Sequence, residues 1–182
     1  MSGKENDETR AGLPADYELY IMRHGLAMTR DVTTAMDDAK RPLTSEGKQK
    51  IREIASGLVR AGMEVDWIVS SPLVRAVETA EIVADAFGSK PPVDCCESLG
   101  PGGAPEALIT FLAKRPNRRR VLVVGHEPDL GELAARLIGA GRNANMPLKK
   151  GGCCLIIFSE FPPKTPGRLV WWVPPRVMRK LG

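Results

Sequence analysis

Apolar residues recur along this chain in two rhythms. Short uninterrupted runs read as buried strands, and apolar positions three or four apart read as helix faces. The first run is Leu19–Met22. Val65 to Ser70, Val93 to Glu97 and Val121–Val124 follow as further strands. Between them Ile51, Ile54, Leu58 and Val59 keep helical spacing, with Thr44 or Ser45 as N-cap and Gly62 closing the element. Leu73, Val77, Ala80, Val83 and Phe87 mark a second helix. Ser71-Pro72 is its expected start, a capping residue before Pro at the first helical position, and Gly88 its stop. Pro105 begins a third helix with Leu108, Phe111 and Leu112, after a Gly100–Gly103 loop. Pro128 begins a fourth, carrying Leu130, Leu133, Leu137 and Ile138. Cys153–Phe158 and Leu169–Val173 flank a Pro-rich connection and read as a hairpin.

Strand and helix thus alternate four times. That order predicts a three-layer α/β/α sandwich whose central sheet is mostly parallel, with a C-terminal antiparallel hairpin. One domain is expected over residues 17–174. Residues 1–16 are polar and charged and read as a disordered N-terminal tail. Residues 175–182 read as a loose basic C-terminal tail. The stretch from Thr29 to Lys40 reads as a polar loop.

Composition narrows the class. The 182 residues are 43% hydrophobic and 26% charged, which suits a soluble globular chain. No run approaches the length of a membrane span, and the N-terminus lacks the apolar core of a secretory signal. A cytoplasmic protein with no membrane association is expected. The formal net charge of +4 suits anionic substrates without demanding nucleic acid. The basic run Lys114–Arg120 has no interleaved aromatics and reads as a solvated connection. The four cysteines form vicinal pairs, Cys95-Cys96 and Cys153-Cys154, without zinc or redox spacing. One member of each pair is expected in the core.

The chemistry concentrates at strand ends. The chain has two histidines, His24 and His126, and each directly follows or nearly follows an apolar run. Ligand sites in open α/β sheets lie beyond the carboxyl ends of strands, so both can reach one crevice. Arg23 ends the first run, and Arg75 sits in the first turn of the second helix. A cation at a helix N-terminus needs a compensating anion, which phosphate supplies; the alternative is pairing with Glu78 or Glu81. Guanidinium offers phosphate a planar fork. Two histidines without an acidic cluster suit zinc poorly, so no metal and no other cofactor is expected. Metal-free phosphoryl transfer through a histidine nucleophile remains.

Four ordered segments carry a resemblance. Ile21-Met22-Arg23-His24-Gly25 resembles the Arg-His-Gly signature of the histidine phosphatase superfamily, which has the phosphoglycerate-mutase-like fold. Arg41-Pro42-Leu43-Thr44-Ser45-Glu46-Gly47, Ser70 to Ala80, and Val124-Gly125-His126-Glu127-Pro128 are similar to its further motifs, in the same order. The resemblance spans Glu18 to Val173. It implies that His24 becomes phosphohistidine, that Arg23, Arg75 and His126 complete the phosphate pocket, and that Arg41 and Gly25 contact the substrate. Arg41 also reads as a solvated loop charge. The short length and absence of a long inserted cap resemble the SixA-type phosphohistidine phosphatases.

Relatives that cleave phosphoesters carry a glutamate acid after the third strand. Glu97 lies there in a thin match, and Glu127 is a second candidate. The weak acid segment favours a P–N substrate, since imidazole leaves more easily than alkoxide. The partner implied is a phosphate-bearing substrate, namely a phosphohistidine-containing signalling protein. Two alternatives stand beside it: a phosphomonoesterase or mutase acting on a small metabolite, and a non-catalytic phosphate-binding adaptor.

Overall fold

Alternate residues of the first strand, β1 (Tyr17–Arg23), enter two different cores. The computed structural model describes residues 16–29, 37–141, 144 and 146–182. After β1 come α1 (Ser45–Arg60), β2 (Trp67–Ser70), α2 (Val74–Ala86), β3 (Val93–Cys95), α3 (Pro105–Ala113), β4 (Arg120–Gly125), α4 (Asp129–Leu137), β5 (Cys153–Phe158), β6 (Arg168–Val173) and α5 (Pro175–Leu181). Leu19 and Ile21 pack with Leu108 and Leu112 of α3 and Leu130 and Leu133 of α4. Tyr20 and Met22 pack on the opposite face with Ile51, Ile54 and Leu58 of α1, Ala76 and Ala80 of α2, and Met178 of α5. The period of two in a doubly covered sheet therefore produces the three layers.

The sheet runs β3-β2-β4-β1-β5-β6. Its first four strands are mutually parallel, while β5 and β6 are antiparallel additions. This is an α/β, phosphoglycerate-mutase-like sandwich. Placing β4 between β1 and β2 determines the site. Arg23 pairs with Gly125, and Ser70 with Val124. The next residues, His24, His126 and Ser71, therefore emerge side by side at three neighbouring carboxyl ends. The ladder continues through them, since His24 N donates to Gly125 O (3.1 Å) and Ser71 N to Val124 O (2.9 Å).

Several boundaries differ from the sequence reading. Thr44 is the cap of α1, accepting from Gly47 N, and Gly62 beyond its end has φ +79°. The second strand starts at Trp67 rather than Val65, because the Asp66 carboxylate is occupied with the backbone N–H groups of Arg119 and Arg120. Helix α2 starts at Val74 with Leu73 as cap, so Ser71-Pro72 is not its first turn. The Ser71 hydroxyl is engaged elsewhere, as described below. The third strand ends at Cys95, and Glu97–Leu99 form a 3-10 turn.

The largest departure is at the C-terminus. Residues expected as a loose tail form α5, with Pro175 at its start, buried Met178 against α1, and Arg179 Nε bonded to Glu53 (2.6 Å). Its single buried apolar residue left almost no periodic signal. Cys153 and Cys154 are both buried, one in each core, because β5 is covered on both faces. Cys96 is buried and Cys95 exposed. Of the tail expected over residues 1–16, all but Asp16 lies outside the described residues. So do residues 30–36 of the polar loop, whose end forms the 3-10 turn Asp38–Lys40. Among the described residues no helix is long and apolar enough to cross a membrane.

Candidate active site

The two imidazoles face one another with ring centroids 5.0 Å apart, tilted by 53°. Both are buried. The Nδ1 of His24 lies 2.7 Å from the carbonyl of Gly25. A carbonyl only accepts, so Nδ1 carries the proton and the Nε2 lone pair is left for chemistry. Gly25 matters for packing. A Cβ there would lie 2.7 Å from Ile51 Cγ1, so a side chain would push α1 off the strand end. Its N–H donates to Thr79 Oγ1 (3.1 Å), which in turn donates to Arg75 O (2.7 Å). Gly25 was expected to contact substrate. Its amide N–H is engaged by Thr79, which ties the residue after His24 to α2.

His126 is assigned the same tautomer by a different route. Its Nε2 is 2.8 Å from Ser71 Oγ, which also accepts from Leu73 N (3.3 Å). The Ser71 hydroxyl has no other acceptor among the described residues, so its proton goes to Nε2, and His126 Nδ1 keeps its own proton. That Nδ1–H is buried and has no partner among the described residues. The same holds for Arg23 Nε and Arg75 Nε. Buried polar groups are normally paired. Three orphan donors around one nucleophilic nitrogen describe a cradle for a tetrahedral anion.

Each guanidinium is held by its other nitrogens. Arg23 Nη1 donates to Leu148 O (2.9 Å), and Leu148 N donates to Glu127 Oε1 (2.9 Å). Glu127 thus positions Arg23 through the backbone of one residue, Leu148. Arg75 Nη1 donates to Asp38 O (2.8 Å) and Nη2 to Asp38 Oδ2 (3.1 Å). The anion expected for Arg75 is therefore present as Asp38, and not as Glu78 or Glu81. Glu78 instead bonds Lys48 Nζ and Leu43 N. Arg41 meets the same carboxylate, through Nε (2.8 Å) and Nη2 (2.8 Å), and Nη1 reaches Met28 O (2.6 Å). Three of the five Arg41 N–H groups are engaged in this way. Burial pushes the Asp38 carboxyl up, but Arg75 and Arg41 outweigh it and hold it below the usual carboxylate range.

Among the described residues neither candidate acid hydrogen-bonds to His24, His126, Arg23 or Arg75. Glu97 is exposed. Glu127 is half-buried and bonded to Leu148; burial raises its carboxyl above the usual range. Sequence reasoning missed three participants: Asp38, Thr79 and the hydroxyl of Ser71. Asp38 had a faint signal, an acidic residue three positions before Arg41, next to a second aspartate, Asp37. Among the described residues no group of acids, cysteines and histidines has metal-binding geometry.

Burial, opposed by the Gly25 bond and reinforced by His126 and Arg75, pushes the His24 pKa down to about 3. Burial and then Arg75 push His126 to about 4. Both rings are neutral at physiological pH, as a nucleophile and a hydrogen-bond donor require. Unfolded histidine titrates near 6.5, so below that value the unfolded chain binds more protons and stability falls with pH. With only two histidines, NMR tests this directly. Both Hε1 resonances of the free protein are expected at neutral-imidazole positions from pH 5.5 to 8, with stability declining below about pH 6.5. A midpoint near 6.5 for either ring would contradict the burial described.

The model for the histidine phosphatase superfamily (branch 1) matches residues 19–100. That span carries the first three motifs; His126 lies beyond it and rests on the geometry above. An uncharacterized protein of Picosynechococcus is 38% identical over 139 residues, covering 74% of this chain and 81% of that protein. The phosphohistidine phosphatase SixA of Escherichia coli K12 is 32% identical over 122 residues, covering 66% and 73%. A solved structure of the protein histidine phosphatase SixA complexed with tungstate superposes with a TM-score of 0.75 at 27% identity, over 88% of this chain and 99% of that one.

Proposed function

The chain belongs to branch 1 of the histidine phosphatase superfamily, and from that premise we propose that it hydrolyses protein phosphohistidine through a phosphoryl group carried on His24. The observation that carries this reading is the cradle itself. The unprotonated Nε2 of His24 has unpartnered buried N–H groups on its neighbours Arg23, Arg75 and His126, and among the described residues neither Glu97 nor Glu127 hydrogen-bonds to it.

The chemistry follows from protons and charges. Phosphoryl oxygens take the three donors, and charge building on them is met by preorganised groups in a buried site. The His24 Nε2 lone pair attacks phosphorus while the substrate P–N bond breaks. A substrate ring protonated on its other nitrogen leaves as neutral imidazole, so no general acid is needed. The transfer is symmetric, imidazole to imidazole. Phospho-His24, protonated at Nδ1 and bonded to Gly25, is then attacked by water. Its P–N bond breaks, releasing dihydrogen phosphate and neutral His24. An alkoxide leaving group would need a proton that this site is poorly arranged to give.

One observation favours a second reading, an ester phosphatase on a small metabolite. Glu127 is half-buried next to the pocket with its carboxyl raised, the condition of a proton donor. Phosphate release from a histidine-phosphorylated protein, compared with sugar and alkyl phosphates, separates the two. The proposal expects the P–N substrate to exceed the esters by about 100-fold in kcat/KM. Glu127→Gln should leave that turnover unchanged, because glutamine still accepts from Leu148 N. Ester turnover that dominates and falls about 100-fold in the same variant would establish the second reading instead. Phosphate binding without release from any substrate would leave an adaptor.

A further inference from the structure

Beside the phosphate cradle lies a second, differently built depression. It abuts Gly25 and has a volume of about 210 Å³. Ile51 and Ile54 of α1 form its floor, and Lys50, Lys150, Arg176 and Arg179 stand around it. Its charge is uneven. Lys50 pairs with Glu46 and Arg179 with Glu53, whereas Lys150 and Arg176 have no ion pair among the described residues. Both are exposed. The wall therefore keeps an excess of two positive charges over an apolar floor.

This wall is rigidly connected to the nucleophile. Gly151 N donates to the carbonyls of Arg23 (3.0 Å) and His24 (3.3 Å), and Arg23 N donates to Gly152 O (3.1 Å). Lys150 is the residue before that clamp. Arg176 and Arg179 are carried by α5, which Met178 seats on α1. A ligand lying across the depression is thereby placed against the residue that follows the attacking imidazole.

We infer that this basic depression is a docking site for the protein substrate, taking an aliphatic side chain and the carboxylates that flank its phosphohistidine. The inference rests on the phosphohistidine reading above and adds the chemistry of the partner. Size argues for side chains over a separate small molecule, since sites for the latter usually span about 300–1,000 Å³. Charge argues for acidic neighbours. The phosphoryl group itself is served by the cradle, so the two spare cations have a different anion to meet. An exposed ion pair contributes up to roughly fivefold in affinity and is screened by salt.

Two synthetic phosphohistidine peptides test it. One carries leucine and two glutamates beside the phosphohistidine; the other has glutamines in their place. Phosphoramidate, the smallest P–N substrate, reports basal chemistry and folding. The native protein is expected to show a KM about fivefold or more lower for the glutamate peptide, a gap that shrinks with added salt. Lys150→Glu and Arg176→Glu should each erase the gap while leaving phosphoramidate turnover unchanged. Equal KM values for the two peptides, or a gap that survives both charge reversals, would overturn the inference. Equal KM values together with binding to phosphatidylserine vesicles that Arg176→Glu abolishes would assign the surface to lipid and overturn it too. No release from either peptide, with turnover of an alkyl phosphate, would overturn the phosphohistidine reading itself and the docking inference with it.

Discussion

Replacing His24 by alanine is expected to lower kcat/KM on a phosphohistidine substrate by about ten-thousandfold or more, the scale of losing a covalent nucleophile. The substitution removes the one nitrogen at the cradle with a free lone pair. His126 cannot substitute for it. Its Nε2 is occupied by Ser71 and its Nδ1 carries a proton, so it offers the pocket a donor and no lone pair. His126→Ala should accordingly cost less, about 100- to 1,000-fold, as for the loss of one preorganised donor. Phosphate binding should persist in His24→Ala, because Arg23, Arg75 and His126 remain. Activity within tenfold of the native protein would refute covalent catalysis by His24.

Arg75→Ala carries the second largest effect, about 1,000-fold in kcat/KM. Two losses combine. The orphan Nε–H disappears from the cradle, and Asp38 loses one of its two guanidinium partners, keeping only Arg41. The site loses one positive charge next to a phosphoryl dianion, so the inhibition constant for inorganic phosphate should rise along with KM. Arg75→Lys keeps the charge but not the fork. A lysine ammonium bonded to Asp38 has no second, fixed edge to present. It should recover only part of the loss. A change in kcat/KM below about tenfold for Arg75→Ala would remove Arg75 from the machinery.

The sequence exposed the parts of this site that sit on strands, because strands are short, apolar and end abruptly. Arg23, His24 and His126 were legible that way, and pairing β1 with β4 brings them together as the topology rule requires. Arg75 was legible as a cation misplaced at a helix start. Its partner was not, because Asp38 lies 37 residues away and has no periodic pattern around it. Ser71 was read as a cap, for which serine before proline is a fair signal; its hydroxyl goes to His126 and the helix starts later. Helix α5 was read as a tail because one buried methionine among basic residues gives no apolar stripe. Arg41 was even-handed in sequence between substrate contact and loop charge; three of its five N–H groups meet Asp38 and Met28.

Covalent catalysis here requires a phosphoryl–nitrogen bond at one atom, Nε2 of His24. Rapid quenching of the native protein with a histidine-phosphorylated substrate, followed by peptide mass spectrometry under alkaline conditions, should find the phosphoryl group on His24, labile to acid and absent from His24→Ala. Phosphoryl on His126, on Ser71 or on no residue during active turnover would contradict it.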